Sequence, residues 1–294
     1  MSFARSPDAR IVLEAHIIAV VDEAPRVLVE IQSGAATSLP RAPFDIDTDA
    51  DLVSTLSARM HVRCGLELGA VEQLVTDIDA TTNPHRRGVE RRTLTIAWLA
   101  PLSAVSEPVS GLRFADIYAA LPWEDRRSKR ADEANRHLAA ALQAWTVRDI
   151  DRSARVARLF ALEGKPWLPA AAAERCVLLR EAGVVLDASS TAHRAAMLPV
   201  AGPDQSLSSG QRLRLALALD RLRQRALGVP DVAALLPAEF TLLSMQRVTE
   251  AILGQRLHKQ NFRRLVETAR LVEATGRYAT STRGRPAEYF RFAR

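Results

Sequence analysis

A chain of 294 residues, 48% hydrophobic and 25% charged, is long enough for two domains with their own cores and has the make-up of an ordinary soluble protein. No apolar run is long enough to cross a bilayer, and the start, Met1–Arg10, is too polar for a secretory signal, so the expectation is a cytoplasmic protein without a membrane partner. Cys64 and Cys176 stand far apart and outside any Cys-x-x-Cys or Cys/His cluster, which argues against a disulfide framework or a zinc site and predicts two buried thiols. The net charge of +6 is weak evidence in a chain with only three lysines, but its location is informative. From Pro237 to the end there are eleven Lys/Arg against five Asp/Glu, so the whole excess lies in the C-terminal segment.

Taken in order, Ile11–Val21, which carries Glu14 and His16 in an otherwise apolar run, and Arg26–Ile31 read as two strands joined by a turn at Asp22-Glu23-Ala24-Pro25. Thr48 is the expected cap of a helix whose apolar positions Leu52, Val53, Leu56, Met60 and Cys64 lead to Gly65. Val71–Ile78 and Thr93–Leu99 read as further strands, and strands around a central helix predict an α/β layer. The loop Asn83–Arg92 places Arg86, Arg87, Arg91 and Arg92 just before a strand. With Arg41 they are candidate effector ligands, because guanidinium forks match phosphate oxygens. A short helix is expected over Phe114–Trp123, then a charged corner at Leu121–Arg127, and the amphipathic helix Asp132–Thr146 closes a first domain over 1–150. Ser153–Leu162 and Ala170–Ala182 form a helical connector over 151–206, which runs into the Gly/Pro/Ser-rich stretch Pro199–Gly210. Gln211–Leu227 is a long helix ended by Gly228 and Pro230, either a dimer contact or the first helix of the last domain, 207–294.

That last domain has an ordered set of signals. Thr241 can cap a helix bearing Leu242, Met245, Val248, Thr249 and Ile252 at helical spacing, Gly254 ends it, and a second helix starts near His258. In the second helix Phe262, Leu265, Val266 and Ala269 share a side, so Gln260, Arg264 and Glu267 face the other way, with Asn261 and Arg263 on the flanks. Leu271–Thr275, a break at Gly276, the basic loop Arg283-Gly284-Arg285-Pro286 and the alternating Tyr289–Phe292 read as two strands around a wing. Together these make a winged helix-turn-helix that would bind double-stranded DNA. The candidate DNA-binding residues are Thr241, Gln246, His258, Lys259, Gln260, Asn261, Arg263, Arg264, Arg283 and Arg285. Lys259, Arg263, Arg283 and Arg285 suit phosphates, and Gln260, Asn261 and Arg264 suit base edges.

The first domain resembles a Nudix hydrolase stripped of its chemistry. With the terminal Gly-apolar pair of the Nudix box set on Gly65-Leu66, its Gly falls on Phe44, its first Glu on Ala50, its Arg on Ala58, and its later three Glu on Arg59, Val62 and Arg63. The carboxylates that hold divalent cations in that family are all missing and two are reversed in sign, so neither catalytic residues nor a metal site are expected. The whole chain resembles the Nudix-related transcriptional regulators of NAD metabolism, the NrtR and NadQ groups, and NadQ most closely. The resemblance rests on Pro43-Phe44-Asp45, Leu68–Leu74, Leu121–Asp125, Pro237–Leu242, Leu257–Glu267 and Gly284–Glu288. It implies an α/β + α protein: a degenerate Nudix-like domain, a helical connector and a winged helix-turn-helix. It further implies a homodimeric repressor of NAD-biosynthesis genes on a palindromic operator, with no cofactor but an adenine nucleotide effector such as NAD, ATP or ADP-ribose. Two other readings stay open. One is a Nudix-type hydrolase with a metal displaced onto Asp45, Asp47, Asp49 and Asp51, although acids also favour a helix N-terminus for its dipole. The other is an adaptor that uses the basic module on protein partners.

Overall fold

The computed structural model describes residues 10–31, 37–82, 90–104, 109–147, 149–183, 207–279 and 286–293. Arg86, Arg87, Arg283, Arg285 and most of the Pro199–Gly210 stretch lie outside the described residues. Strands β1 (Arg10–Val21) and β2 (Ala24–Ile31) form a hairpin whose two turn residues, Asp22 and Glu23, both take positive φ, the turn that matches strand twist. With β3 (Thr37–Ser38), β4 (Arg41–Phe44), β5 (Glu72–Thr82), β6 (Glu90–Leu102) and β7 (Leu112–Asp116) they build a seven-stranded sheet in the order β3-β2-β1-β6-β5. In it β4 pairs with the first part of β1, and β7 with β2. Only the central β1–β6 pairing is parallel among these strands.

Because successive side chains leave a strand on opposite faces, β1 serves two cores at once. Leu13, Ala15, Ile17 and Ala19 pack with Leu56, Met60 and Cys64 of helix α1 (Leu52–Cys64). Glu14, His16 and Ile18 sit on the alternate face, where Ile18 joins the second and larger core. The cap of α1 is Asp51, not Thr48: the Asp51 carboxylate accepts from the N–H groups of Val53 and Ser54, and the Thr48 N–H donates to the Asp45 carbonyl in the preceding turn. Both cysteines are buried thiols, and burial pushes each pKa up to about 11.

The helix expected over Phe114–Trp123 is mostly something else. Phe114 and Ala115 lie in β7, opposite Leu28 and Val27. Only Ile117–Ala120 (α2) is helical, followed by a single 3-10 turn at Pro122–Glu124. A short apolar run fits either conformation, and here pairing with a strand far away in sequence decides. The larger core then gathers α3 (Lys129–Trp145), α4 (Ile150–Leu159), α5 (Ala172–Glu181) and α6 (Ser209–Ala226) beneath the second face of the sheet.

Helix α6 is tied to the α/β domain by its arginines. Arg214 reaches Glu14, Arg221 and Arg225 share Glu72 of β5, and Arg223 reaches Glu124. After it come β8 (Phe240–Thr241), α7 (Leu242–Leu253), α8 (Lys259–Thr268), β9 (Val272–Tyr278) and β10 (Glu288–Phe292), with the sheet order β8-β10-β9. Gly276 does not break the first wing strand. It stays inside β9 at φ +72, and the pairing with β10 shifts register nearby. The Phe240 and Phe292 rings meet at 5.0 Å and close the small sheet onto α7. Among the described residues, no helix is long and apolar enough to cross a membrane.

Candidate nucleic-acid interface and effector groove

Helix α7 is held at both ends. The Thr241 side chain accepts from the Ser244 N–H while the Ser244 side chain accepts from the Thr241 N–H, a reciprocal capping box. At the other end the chain turns at Gly254, and the turn into α8 is fixed from within. The Gln246 amide donates to Glu250 at 2.9 Å and to the Leu257 carbonyl at 3.1 Å, and Glu250 accepts the Leu257 N–H at 3.0 Å and pairs with Arg256. Thr241 and Gln246 were expected at DNA, but their polar groups are engaged inside the protein, and Gln246 is buried. Thr241 starts α7, and Gln246 holds the turn into α8.

Helix α8 buries only Phe262 and Val266, and Leu265, expected on the same face, is exposed. The i, i+4 pair of buried side chains is enough to dock a ten-residue helix, and every other position is left for solvent or a partner. His258, Lys259, Gln260, Asn261, Arg263 and Arg264 are all exposed. Three other arginines of the domain are paired: Arg247 with Glu23 at 3.0 Å, Arg277 with Glu239 at 2.8 Å and Arg291 with Glu273 at 3.2 Å. Lys259, Arg263 and Arg264, by contrast, have no ion-pair partner among the described residues, and α8 therefore presents uncompensated positive charge beside the amides of Gln260 and Asn261.

In the α/β domain, α1 and β4 enclose a groove of ≈ 610 Å³. Ala58, Arg59, Val62 and Arg63, the four side chains at the end of the Nudix box, all line it. Of the acids proposed for a displaced metal, Asp45 accepts from the Asp47 N–H, Asp49 accepts from the Asp45 N–H and pairs with Arg59, and Asp51 caps α1. No three His, Cys, Asp or Glu side chains gather as a metal would need among the described residues.

Arg41 is not at that groove. It lies on the other face of the sheet, donating to Glu14 at 2.8 Å and to the Thr95 hydroxyl at 3.4 Å. Arg91 and Arg92 open β6 with their backbones opposite Thr81 and Ala80, and their side chains fall outside the description, as do Arg86 and Arg87 altogether.

Two buried ion clusters, invisible as pairs in the sequence, join the domains. In the first, Glu14 accepts from Arg41 and from Arg214 at 2.7 and 3.1 Å, with the His16 ring 3.2 Å away. Burial alone would raise the Glu14 pKa, but the hydrogen bonds and charges of His16 and Arg214 hold it well below the usual carboxylate range. In the second, fully buried Glu124 takes Arg175 through two 2.7 Å bonds and is also paired with Arg223. The same corner caps α7. Tyr118 donates to the Ala251 carbonyl at 2.6 Å, Arg223 to the Ile252 carbonyl at 2.9 Å, and the Arg126 N–H to the Gly254 carbonyl at 2.7 Å. Two of the last carbonyls of the first helix of the helix-turn-helix, those of Ala251 and Ile252, are thus satisfied from α2 and α6.

The architecture is that of a Nudix-like α/β domain carrying a C-terminal winged helix domain. Residues 232–292 match the NrtR DNA-binding winged helix domain. Among solved structures, NrtR from Shewanella oneidensis in complex with a 27mer DNA is similar over 96% of this chain and 93% of its own, at 19% identity and a TM-score of 0.56. The same protein crystallised without that DNA gives a TM-score of 0.53 at 19% identity, covering 96% and 94%. A MutT/nudix family protein from Enterococcus faecalis is similar over 98% of this chain and 90% of its own, at 13% identity and a TM-score of 0.56. No curated protein sequence matches the chain.

Proposed function

We propose that this protein is a transcriptional repressor of NAD-biosynthesis genes that binds a palindromic operator as a homodimer and is modulated by an adenine nucleotide, such as NAD, ATP or ADP-ribose, in its Nudix-like domain. The observation that carries the reading is α8: an exposed helix whose cations Lys259, Arg263 and Arg264 have no ion-pair partner among the described residues, on a domain that matches the NrtR winged helix. Placed in a major groove, it would set Lys259 and Arg263 against phosphates and Gln260, Asn261 and Arg264 against base edges.

Two substitutions test that division of labour by fluorescence anisotropy on duplex DNA. Lys259→Ala is expected to weaken binding equally for all sequences and to reduce the slope of log affinity against log salt by about one. Arg264→Ala is expected to lose about 1–3 kcal/mol against one preferred base pair and little against others. A uniform loss for Arg264→Ala assigns it to the backbone instead.

The domain contacts support control by a ligand. A nucleotide that favours one arrangement of the sheet acts on α6 through Glu14 and Arg214, and on α7 through the Glu124 corner. A typical coupling of about 1–3 kcal/mol between the two sites needs no larger rearrangement than a shift of these helices. The rival reading, a diphosphate hydrolase, draws on the fold shared with the MutT/nudix protein of E. faecalis. Magnesium-dependent phosphate release from ADP-ribose, NAD or nucleoside triphosphates is the measurement that separates them, and the sensor reading expects no turnover above the buffer rate.

A further inference from the structure

In the groove between α1 and β4 the fold and the side chains disagree. Where a Nudix box would bring carboxylates to a divalent cation stand Arg59, Val62 and Arg63, and the nearby Asp45, Asp49 and Asp51 already accept backbone N–H groups. A guanidinium carries donors only and cannot ligate a cation, so the residues present do not fit a metal. They fit an anion. Arg59 and Arg63 are four residues apart on one helix, hence one above the other on the same face, and both line a groove of ≈ 610 Å³, the size of a small-molecule site.

Their partners leave them usable. Arg59 donates to Asp49 through one terminal nitrogen only, and Arg63 holds Glu30 through Nε and one terminal nitrogen. The remaining N–H groups of both have no partner among the described residues. The carboxylates are less exposed than the cations: the side chains of Asp49 and Glu30 are 14% and 15% exposed, those of Arg59 and Arg63 41% and 48%. Asp49 shares the groove wall with Arg59, its carboxylate already taken by Arg59 and the Asp45 N–H, and Glu30 is not among the lining residues, so the unpaired guanidinium edges present two forks of the kind that takes phosphate oxygens.

We propose that this groove binds the two phosphates of a nucleoside diphosphate directly on Arg59 and Arg63, without a metal; the proposal rests on the reading of the domain as a nucleotide sensor and names the part of the ligand it grips. The lining residues next to the two forks, Ala58 and Val62, carry no charge, so the phosphates can lie along the helix.

Isothermal titration of the full chain with ADP, AMP, adenosine and inorganic pyrophosphate, each in EDTA and in magnesium, tests it. ADP is expected to bind at least as well in EDTA as in magnesium and about tenfold tighter than AMP, with pyrophosphate competing, since each charge-assisted phosphate contact contributes about a factor of ten. The double variant Arg59→Gln/Arg63→Gln should weaken ADP by about a hundredfold while keeping duplex DNA binding, which also reports that it is folded. The EDTA comparison uses the unaltered chain, so it stands even if the variant fails to fold. ADP binding that requires magnesium, or that persists in the folded variant, or that is no tighter than AMP, overturns the site and leaves the sensor reading intact. A chain that binds none of these ligands but does bind NAD, ATP or ADP-ribose overturns the site alone. One that binds no nucleotide at all overturns both.

Discussion

Replacing Glu124 with alanine is expected to lower the unfolding free energy by about 3–5 kcal/mol, because it leaves two guanidinium groups buried without a counter-charge. Arg175 and Arg223 are both fully buried, and each donates to Glu124 as well as to backbone carbonyls. A buried ion cluster of this kind contributes little net stability when intact, since desolvation offsets most of its attraction, yet removal of the one acid exposes the whole desolvation cost. Chemical denaturation of Glu124→Ala and of the unaltered chain, compared at constant slope, measures the difference. The linkage to pH has a definite sign. Burial pushes the Glu124 carboxyl up, but Arg175 and Arg223 pull it below its ordinary value of 4.5, so the folded state binds this proton less readily than the unfolded one. Its contribution is present above about pH 4.5 and is lost as the pH falls below that. Glu14, depressed by His16 and Arg214, adds a loss of the same sign in the same acid range. The difference between the unaltered chain and Glu124→Ala should therefore shrink on acidification and hold steady from pH 6 to 8; a difference that grows toward low pH would contradict the assignment.

Gly254→Ala is the second large effect. Gly254 takes φ +68, a conformation that L side chains rarely adopt, and an added Cβ would lie 2.2 Å from the Glu124 carbonyl oxygen and 2.9 Å from both Arg223 and Tyr118. Conformational strain and the forced displacement together should cost about 2–4 kcal/mol. Gly276→Ala is the matched control: its φ is +72 but nothing lies within 4 Å, so only the backbone strain applies, about 1 kcal/mol. The two variants also separate stability from coupling. Gly254 lies where the α/β domain caps α7, so its substitution should alter the nucleotide response of DNA binding, whereas Gly276→Ala, in the wing, should leave that response unchanged. Equal stability losses in the two would mean that the corner is looser than the contacts require.

What could be read from the chain follows from how far each interaction reaches. The cap at Thr241, the stop at Gly254 and the buried stripe of α7 are local, and they appear in the structure at those positions. The two halves of the first hairpin are local in the same sense, although the turn expected over Asp22–Pro25 is only Asp22-Glu23, and Ala24 and Pro25 already pair with β1. Leu265 misled because a short helix docking through Phe262 and Val266 alone needs no wider apolar stripe. Strands β3, β4 and β7 could not be placed, since a two- to five-residue strand has no periodicity of its own and exists only through its partner. The ion clusters lie furthest from local reading. Glu14 and Arg214 are 200 residues apart in the chain, Glu124 and Arg223 are 99 apart, and no spacing rule connects them. A signal was nevertheless present: an acid and a histidine in the apolar run Ile11–Val21 had to be paired if that run was a buried strand. The groove shows the opposite case. The alignment of the Nudix box put Ala58, Arg59, Val62 and Arg63 where catalytic groups would be, and those four do share one wall, but Arg41, chosen for its charge alone, turned out to serve Glu14 on the other face.

In the reading proposed above, an exposed cationic helix and a nucleotide-binding domain act as one device. The direct measurement is the affinity of the full chain for duplex DNA from upstream of NAD-synthesis genes, against a scrambled duplex of the same composition, with and without NAD, ATP or ADP-ribose at two salt concentrations. The expected result is preference for the upstream DNA, an affinity that falls steeply with salt, and a shift of about five- to a hundredfold on addition of at least one nucleotide. Equal affinity for both duplexes, or a preference that no nucleotide alters, would contradict it.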